Sequence, residues 1–239
     1  MEARSAPVAV SAPRAVPLAH AFRWFETALR MFKVAPLAWC ALGAITLASE
    51  LALELVPGLG SAAARVIVPV VECGMLLGAA AIDRGAPIEM RFAVAAFGAR
   101  PAALAAIVLS ALAVTAVETT LAYALTGVNL LADSNDERLT ASARIVVTGV
   151  EALASLPVLF VPFAVLLENR GFAKAFAASL RGFALNVAPL VLFAALSLAL
   201  IAIGALAFYV GLIAVFPLLT ATSYAAWKDI YAQEPALKR

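Results

Sequence analysis

Five carboxylates and one guanidinium stand in this chain where water is scarce. Glu50, Glu54, Glu72, Glu118 and Glu151, with Arg65, interrupt stretches built almost wholly of Ala, Leu, Val, Ile and Gly. An ionisable group at the centre of a lipid bilayer costs about 2.5–3.5 kcal/mol on insertion scales, so it faces a partner or a wet cavity. The pattern suits an outward-facing polar pocket. In it Arg65 pairs with Glu50 or Glu54, leaving Glu72, Glu118 and Glu151 to hold protons or bind a cation. A plainer alternative sets Glu50 and Glu54 at the interface, Glu151 at shallow depth, and Arg65 in a local bridge across the turn Pro57-Gly58-Leu59-Gly60. Glu72 is the deepest of the set, and Glu72 and Glu118 are the two that interfacial placement explains least well.

Other chemistry is thinly represented. The sole histidine, His20, precedes the first long apolar stretch, where it reads as the start of an interfacial helix. The apolar stretches therefore hold neither a His-based metal site nor a Ser-His dyad. HExxH, P-loop and glycine-rich nucleotide motifs are absent from the sequence. Cys40 and Cys73 both fall in apolar stretches and read as small packing residues. Ser134-Asn135-Asp136-Glu137, in the loop Val128 to Arg144, reads as a solvated acidic turn. No catalytic group, cofactor or metal is expected.

The elements that must position the carboxylates follow from composition. Of 239 residues 64% are hydrophobic and 13% charged, and the mean hydropathy is +1.00. So little polar surface cannot cover a water-soluble globule, and the chain reads as a polytopic membrane protein. About 20 apolar residues cross a hydrocarbon core as a helix. Six stretches qualify: 36–56, 62–82, 101–126, 144–167, 188–208 and 211–229. The last two nearly merge, because Pro189 to Trp227 carries no charge; the turn is expected at Tyr209-Val210-Gly211. Continuous Ala/Leu-rich runs favour helices over the alternating strands of a barrel. The expected fold is thus all-α, a six-helix membrane bundle over 20–231, with a disordered tail over 1–19 and a C-terminal tail over 232–239.

Charge sets the orientation. Of the 17 Lys and Arg, all but Arg65, Arg138 and Arg144 fall on the side that holds both termini and the connections after the second and fourth spans. Under the positive-inside rule that side is cytoplasmic. The net charge of +2 conceals this asymmetry. The cations are spread along membrane flanks with no nucleic-acid motif around them, so no nucleic-acid partner is expected.

A unit recurs three times: a basic, aromatic segment, a proline, and two apolar stretches. Its copies are ALRMFKVAPL (Ala28 to Leu37), SLRGFALNVAPL (Ser179 to Leu190) and a weaker RFAVAAFGARPAAL (Arg91 to Leu104). In the first, Phe22, Phe25, Leu29 and Phe32 share a helical face opposite Arg23, Glu26, Arg30 and Lys33. In the last, Phe176, Leu180 and Phe183 oppose Lys174 and Arg181. Such segments can lie in the interface, with Arg23, Arg30, Lys33, Lys174 and Arg181 at lipid headgroups. Each stops at a proline, Pro36, Pro101 or Pro189, which cannot continue one helix but suits the first turn of the next. Kinks are expected at Pro69, Pro157, Pro162 and Pro217. Gly74 and Gly78 form a GxxxG read as internal packing. Three parallel hairpins, each behind an interfacial amphipathic helix, imply a pseudo-threefold axis along the membrane normal.

FETALRMFKVAPLAW, the exit AAIDRG, FAASLRGFALNVAPLVLF and the closing TSYAAWKDIY resemble an uncharacterised family of six-helix bacterial inner-membrane proteins. That family is distantly similar to YciC-type proteins and to the membrane domain attached to some glycerophosphodiester phosphodiesterases. The resemblance covers most of residues 20–231. It rests on basic-aromatic entries ending in N/K-x-x-P and on a final Y-x-x-x-x-D-I, and it implies no reaction, since the phosphodiesterase barrel is absent. Two functional expectations result. One is a non-enzymatic, lipid-interacting or scaffold protein of the inner membrane, with membrane lipids as partners. The other is a small transporter or channel that uses Glu72 and Glu118. A topology reporter inserted beside Ser134 is expected to read as external; a cytoplasmic signal there would overturn the orientation.

Overall fold

The computed structural model describes residues 12–56, 59–131, 137–206 and 210–231, and every regular element among them is helical. Helices α1 (His20–Val34) and α2 (Pro36–Glu54) are separated at Ala35, where φ reaches −148°. Pro36 has no N–H to continue α1, yet its fixed φ suits the first turn of α2. α3 (Gly60–Asp83) follows, then the short α4 (Phe92–Ala95) with a 3-10 turn, Ala96–Gly98. α5 (Pro101–Thr126) again starts on its proline and ends at Gly127 in the left-handed conformation. α6 (Ala141–Ser155), a 3-10 turn (Leu156–Val158) and α7 (Val161–Leu166) form one broken helical stretch. α8 (Phe172–Leu185), α9 (Val187–Leu206) and α10 (Leu212–Tyr231) complete the chain.

Five helical stretches are long and apolar enough to cross a membrane: α2, α3, α5, Ala141–Leu166 and α9. Large apolar side chains on their outer faces, among them Leu37, Leu51, Leu109 and Ile203, are exposed, as a hydrocarbon solvent permits. α10, expected as a sixth span, is not among the five. From its ninth residue it carries Thr220, Thr222, Ser223, Tyr224, Lys228 and Asp229, and it is a core helix, buried continuously from Ala221 to Trp227. It packs on α1, α2 and α3. The turn before it includes Val210 and Gly211 as expected, whereas Tyr209 lies outside the described residues.

Packing refines the repeated unit. α1 turns Ala21, Trp24, Ala28 and Met31 inward, a face distinct from the apolar one expected at the interface. Phe25 and Phe32 pack against the core edge, while Phe22 and Leu29 stay exposed. The middle copy forms only α4 and its 3-10 turn, so it supplies no full amphipathic helix. Its short backbone instead presses on α3, where a Cβ on Gly74 would collide with the Phe92 carbonyl oxygen. The GxxxG therefore serves internal packing at Gly74, while Gly78 makes only ordinary contacts.

The expected kinks take two forms. Pro69 and Pro217 sit inside continuous helices, but Pro157 and Pro162 break theirs. Backbone groups freed at that break need partners, because a membrane interior supplies no water to solvate them. Ser179 of α8 provides both: its hydroxyl donates to the Pro157 carbonyl at 2.8 Å and accepts the Phe160 N–H at 3.2 Å.

The segment preceding α1, expected as part of a disordered tail over 1–19, is docked from Arg14 onward. The Arg14 N–H donates to the Ile230 carbonyl. The fully buried Asn186 accepts the Val16 N–H and donates to the Arg14 carbonyl. The Asn of the N-x-x-P motif thus clasps the incoming chain.

Candidate functional site

A cavity of about 540 Å³ lies between α2, α3, α5, α6, α7, α9 and α10. One face of α3 forms its longest wall, with Ser61, Ala64, Arg65, Val68, Pro69, Glu72, Met75 and Leu76 at helical spacing. From Ser61 to Leu76 that wall runs about 22 Å, at roughly 1.5 Å per residue. The cavity therefore reaches from the end where α2 and α3 join to beyond the middle of α3.

Glu50, Arg65, Glu72 and Glu151, four of the five residues expected to form a polar pocket, line it together with Glu54. Glu118, the fifth, touches it through Arg65. It is buried at 6% exposure and accepts two bonds from one guanidinium: Arg65 Nη1 at 2.7 Å and Nη2 at 3.2 Å. This corrects the expected pairing of Arg65 with Glu50 or Glu54. The cause is depth on facing helices, because α3 packs against α5, which brings Arg65 early in α3 level with Glu118 late in α5. The proposed bridge across the turn at residues 57–60 falls partly outside the described residues.

With its guanidinium bonded to Glu118, Arg65 leaves Glu50, Glu72 and Glu151 without that partner. Among the described residues, no hydrogen bond or ion pair ties down Glu50, Glu72 or Glu151. Glu50, Glu72 and Glu151 line the same volume from three helices. Glu72 is exposed, although it lies halfway along the most enclosed helix, because it faces the open volume. Thr115 also lines the cavity at 7% exposure. Ser110, Ser155, Thr220 and Ser223 on the same walls turn their hydroxyls back to their own helices. Thr115 makes no such bond. Among the described residues no three His, Cys, Asp or Glu side chains converge as metal ligands.

Sequence reasoning missed what closes the opposite end. The closing phrase Tyr224 to Tyr231 on α10 meets a carboxylate from every repeat exit. Asp83 accepts from the Tyr224 hydroxyl at 3.0 Å and from Lys228 Nζ at 2.7 Å. Buried Glu168 accepts from Trp227 Nε1 at 3.0 Å and from Arg170. Asp229 itself takes Arg14, His20 and Trp24, at 2.8, 2.7 and 2.9 Å. Phe163 stacks on Trp227 with centroids 5.8 Å apart and also lines the cavity. The floor of the cavity is thus the roof of this cluster. The recurrence of acidic exits was visible in sequence; their common target was not.

The five headgroup candidates Arg23, Arg30, Lys33, Lys174 and Arg181 are all exposed. Arg30 also bridges Glu26 at 3.4 Å. The acidic turn Ser134–Glu137 falls outside the described residues except for Glu137.

Apolar spans around a charged interior define a multi-pass membrane protein. Comparison with protein-family models, curated proteins and solved structures finds no match to this chain. Replacing Arg65 by Gln strands the Glu118 charge and is expected to cost about 3–5 kcal/mol, whereas the double variant Arg65→Gln/Glu118→Gln recovers most of that loss. Thermal unfolding in detergent checks this; equal losses in the single and double variants would mean the pair is not a unit.

Proposed function

We propose that the protein is a small transporter or channel that admits a cationic solute to its intramembrane cavity and passes it across the membrane. The carrying observation is the cavity, where Glu50, Glu72 and Glu151 face open volume while Arg65 is neutralised by Glu118. Charges left unpaired in a low-dielectric interior attract a counter-charge. In this reading the chain is non-enzymatic and has six spans, with α10 as the sixth. The spans form three parallel hairpins with both termini in the cytoplasm of a bacterium and the cavity open to the outside. The contacts of α2 with α3, α5 with α6, and α9 with α10 support the hairpins. The meeting of Asp83, Glu168 and Asp229 near the end of α10 supports a common side for the three exits.

In proteoliposomes the wild-type protein is expected to carry a cation current, measured by solid-supported membrane electrophysiology across a panel of inorganic and organic cations. A charged contact at Glu72 worth roughly 1.5–3 kcal/mol implies at least about a tenfold loss in Glu72→Gln. Full flux in that variant, unchanged with pH, would remove the carboxylate from the pathway.

A second reading is favoured by the outer surface. Exposed Arg23, Arg30, Lys33, Lys174 and Arg181, beside exposed Phe22, Leu29 and Leu180, grip anionic lipid of the cytoplasmic leaflet. At about 1 kcal/mol per cation near such a surface, neutralising Arg23, Arg30, Lys174 and Arg181 is expected to deplete co-purified anionic lipid in native mass spectra. Unchanged lipid retention would count against this role.

A further inference from the structure

We infer that the ligand of the cavity is a primary ammonium group carried on an apolar body, an inference that rests on the proposed entry of a cationic solute. Size is the first constraint. About 540 Å³ falls in the range of roughly 300–1,000 Å³ typical of small-molecule sites. That is far more than a desolvated metal ion fills, and the acidic groups do not converge as metal ligands among the described residues.

Wall chemistry is the second constraint. Between the carboxylates the lining is apolar, with Val68, Ile107, Val114, Leu159 and Phe216, so most of the ligand surface is hydrocarbon. Thr115 is the third constraint and is independent of the acidic groups. The residue is more than nine-tenths buried and lines the cavity, and among the described residues its hydroxyl has no hydrogen-bond partner. A hydroxyl on the cavity wall with no protein partner has its hydrogen bond to make with whatever fills the cavity, and an ammonium N–H satisfies it. A quaternary ammonium has no N–H to offer Thr115, and a neutral body leaves Glu72 without its counter-charge. An aliphatic or aromatic amine meets all three conditions. So does the ethanolamine headgroup of a phospholipid, which shares the same chemistry.

The test uses the full-length protein in phosphatidylcholine nanodiscs with phenethylamine as the probe, read by calorimetry. Saturable binding is expected, at least about tenfold weaker in Glu72→Gln, the loss of a charge-assisted bond of roughly 1.5–3 kcal/mol. Phenethyl alcohol, neutral and of the same shape, is expected to bind more weakly by a similar factor. Thr115→Val should weaken phenethylamine several-fold while leaving its trimethylammonium analogue unaffected, and this variant carries the test if Glu72→Gln does not fold. Alcohol binding as tight as amine, or binding indifferent to both substitutions, would overturn the inference. Adding phosphatidylethanolamine to the discs separates the sources: displacement of phenethylamine identifies a lipid ligand, and undiminished binding a free amine. If inorganic cations carry current but phenethylamine does not bind, the inference fails and the transport reading stands. If phenethylamine binds as described and no current flows, the inference stands and transport fails.

Discussion

The last two turns of α10 hold the molecule together at one end, and the cavity exists because they do. Tyr224 and Lys228 bond to the end of α3, Trp227 to the segment after α7, and Asp229 to α1. Hydrogen bonds to charged groups contribute about 1.5–3 kcal/mol each, more than neutral ones, and several here are partly or wholly shielded from water. Phe163, Phe160 and Tyr231 fill the space between them with edge and stacked contacts. With that end closed by aromatic packing, the helices are free to separate at the other end around Glu50, Arg65 and Glu151. A bundle packed equally well along its whole length would leave no room for these charges.

Much of the scaffold was legible in the sequence because membrane solvent imposes a coarse rule. Pro101 and Thr126 bound α5 as the hydropathy run placed them, and Pro36 begins α2, because a proline at a helix start and a continuous apolar run have few other outcomes. The interruption of apolar runs by charge was legible as well: Glu50, Arg65, Glu72 and Glu151 were expected in one polar pocket, and they line one cavity.

What escaped was lateral placement. Hydropathy fixes how far along a span a residue lies but not which neighbour it faces, so Glu50 or Glu54, across the α2–α3 turn, is the expected partner of Arg65, when α5 brings Glu118. The protein-facing side of α1 escaped for a related reason. Phe22 and Leu29, on the face expected at the acyl boundary, are exposed, while Ala21 and Ala28, small enough for close packing on α10, lie inward at 0% exposure. The role of α10 was hidden by its composition, since a helix enclosed by protein on all sides tolerates hydroxyls that one facing lipid does not.

The clasp on Asp229 also bears on how such a chain comes to be finished. Arg14, His20 and Trp24 leave a ribosome more than 200 residues before the carboxylate that accepts them, with 215 positions separating Arg14 from Asp229. Until the last helix is made, α1 has no acceptor for the Trp24 indole and lacks the neighbour that covers its alanine face. The first helix is therefore provisional during synthesis and final only at the end. A chain stopped short of α10 presents an open seam along α1, a mark by which quality control can tell an incomplete copy from a complete one.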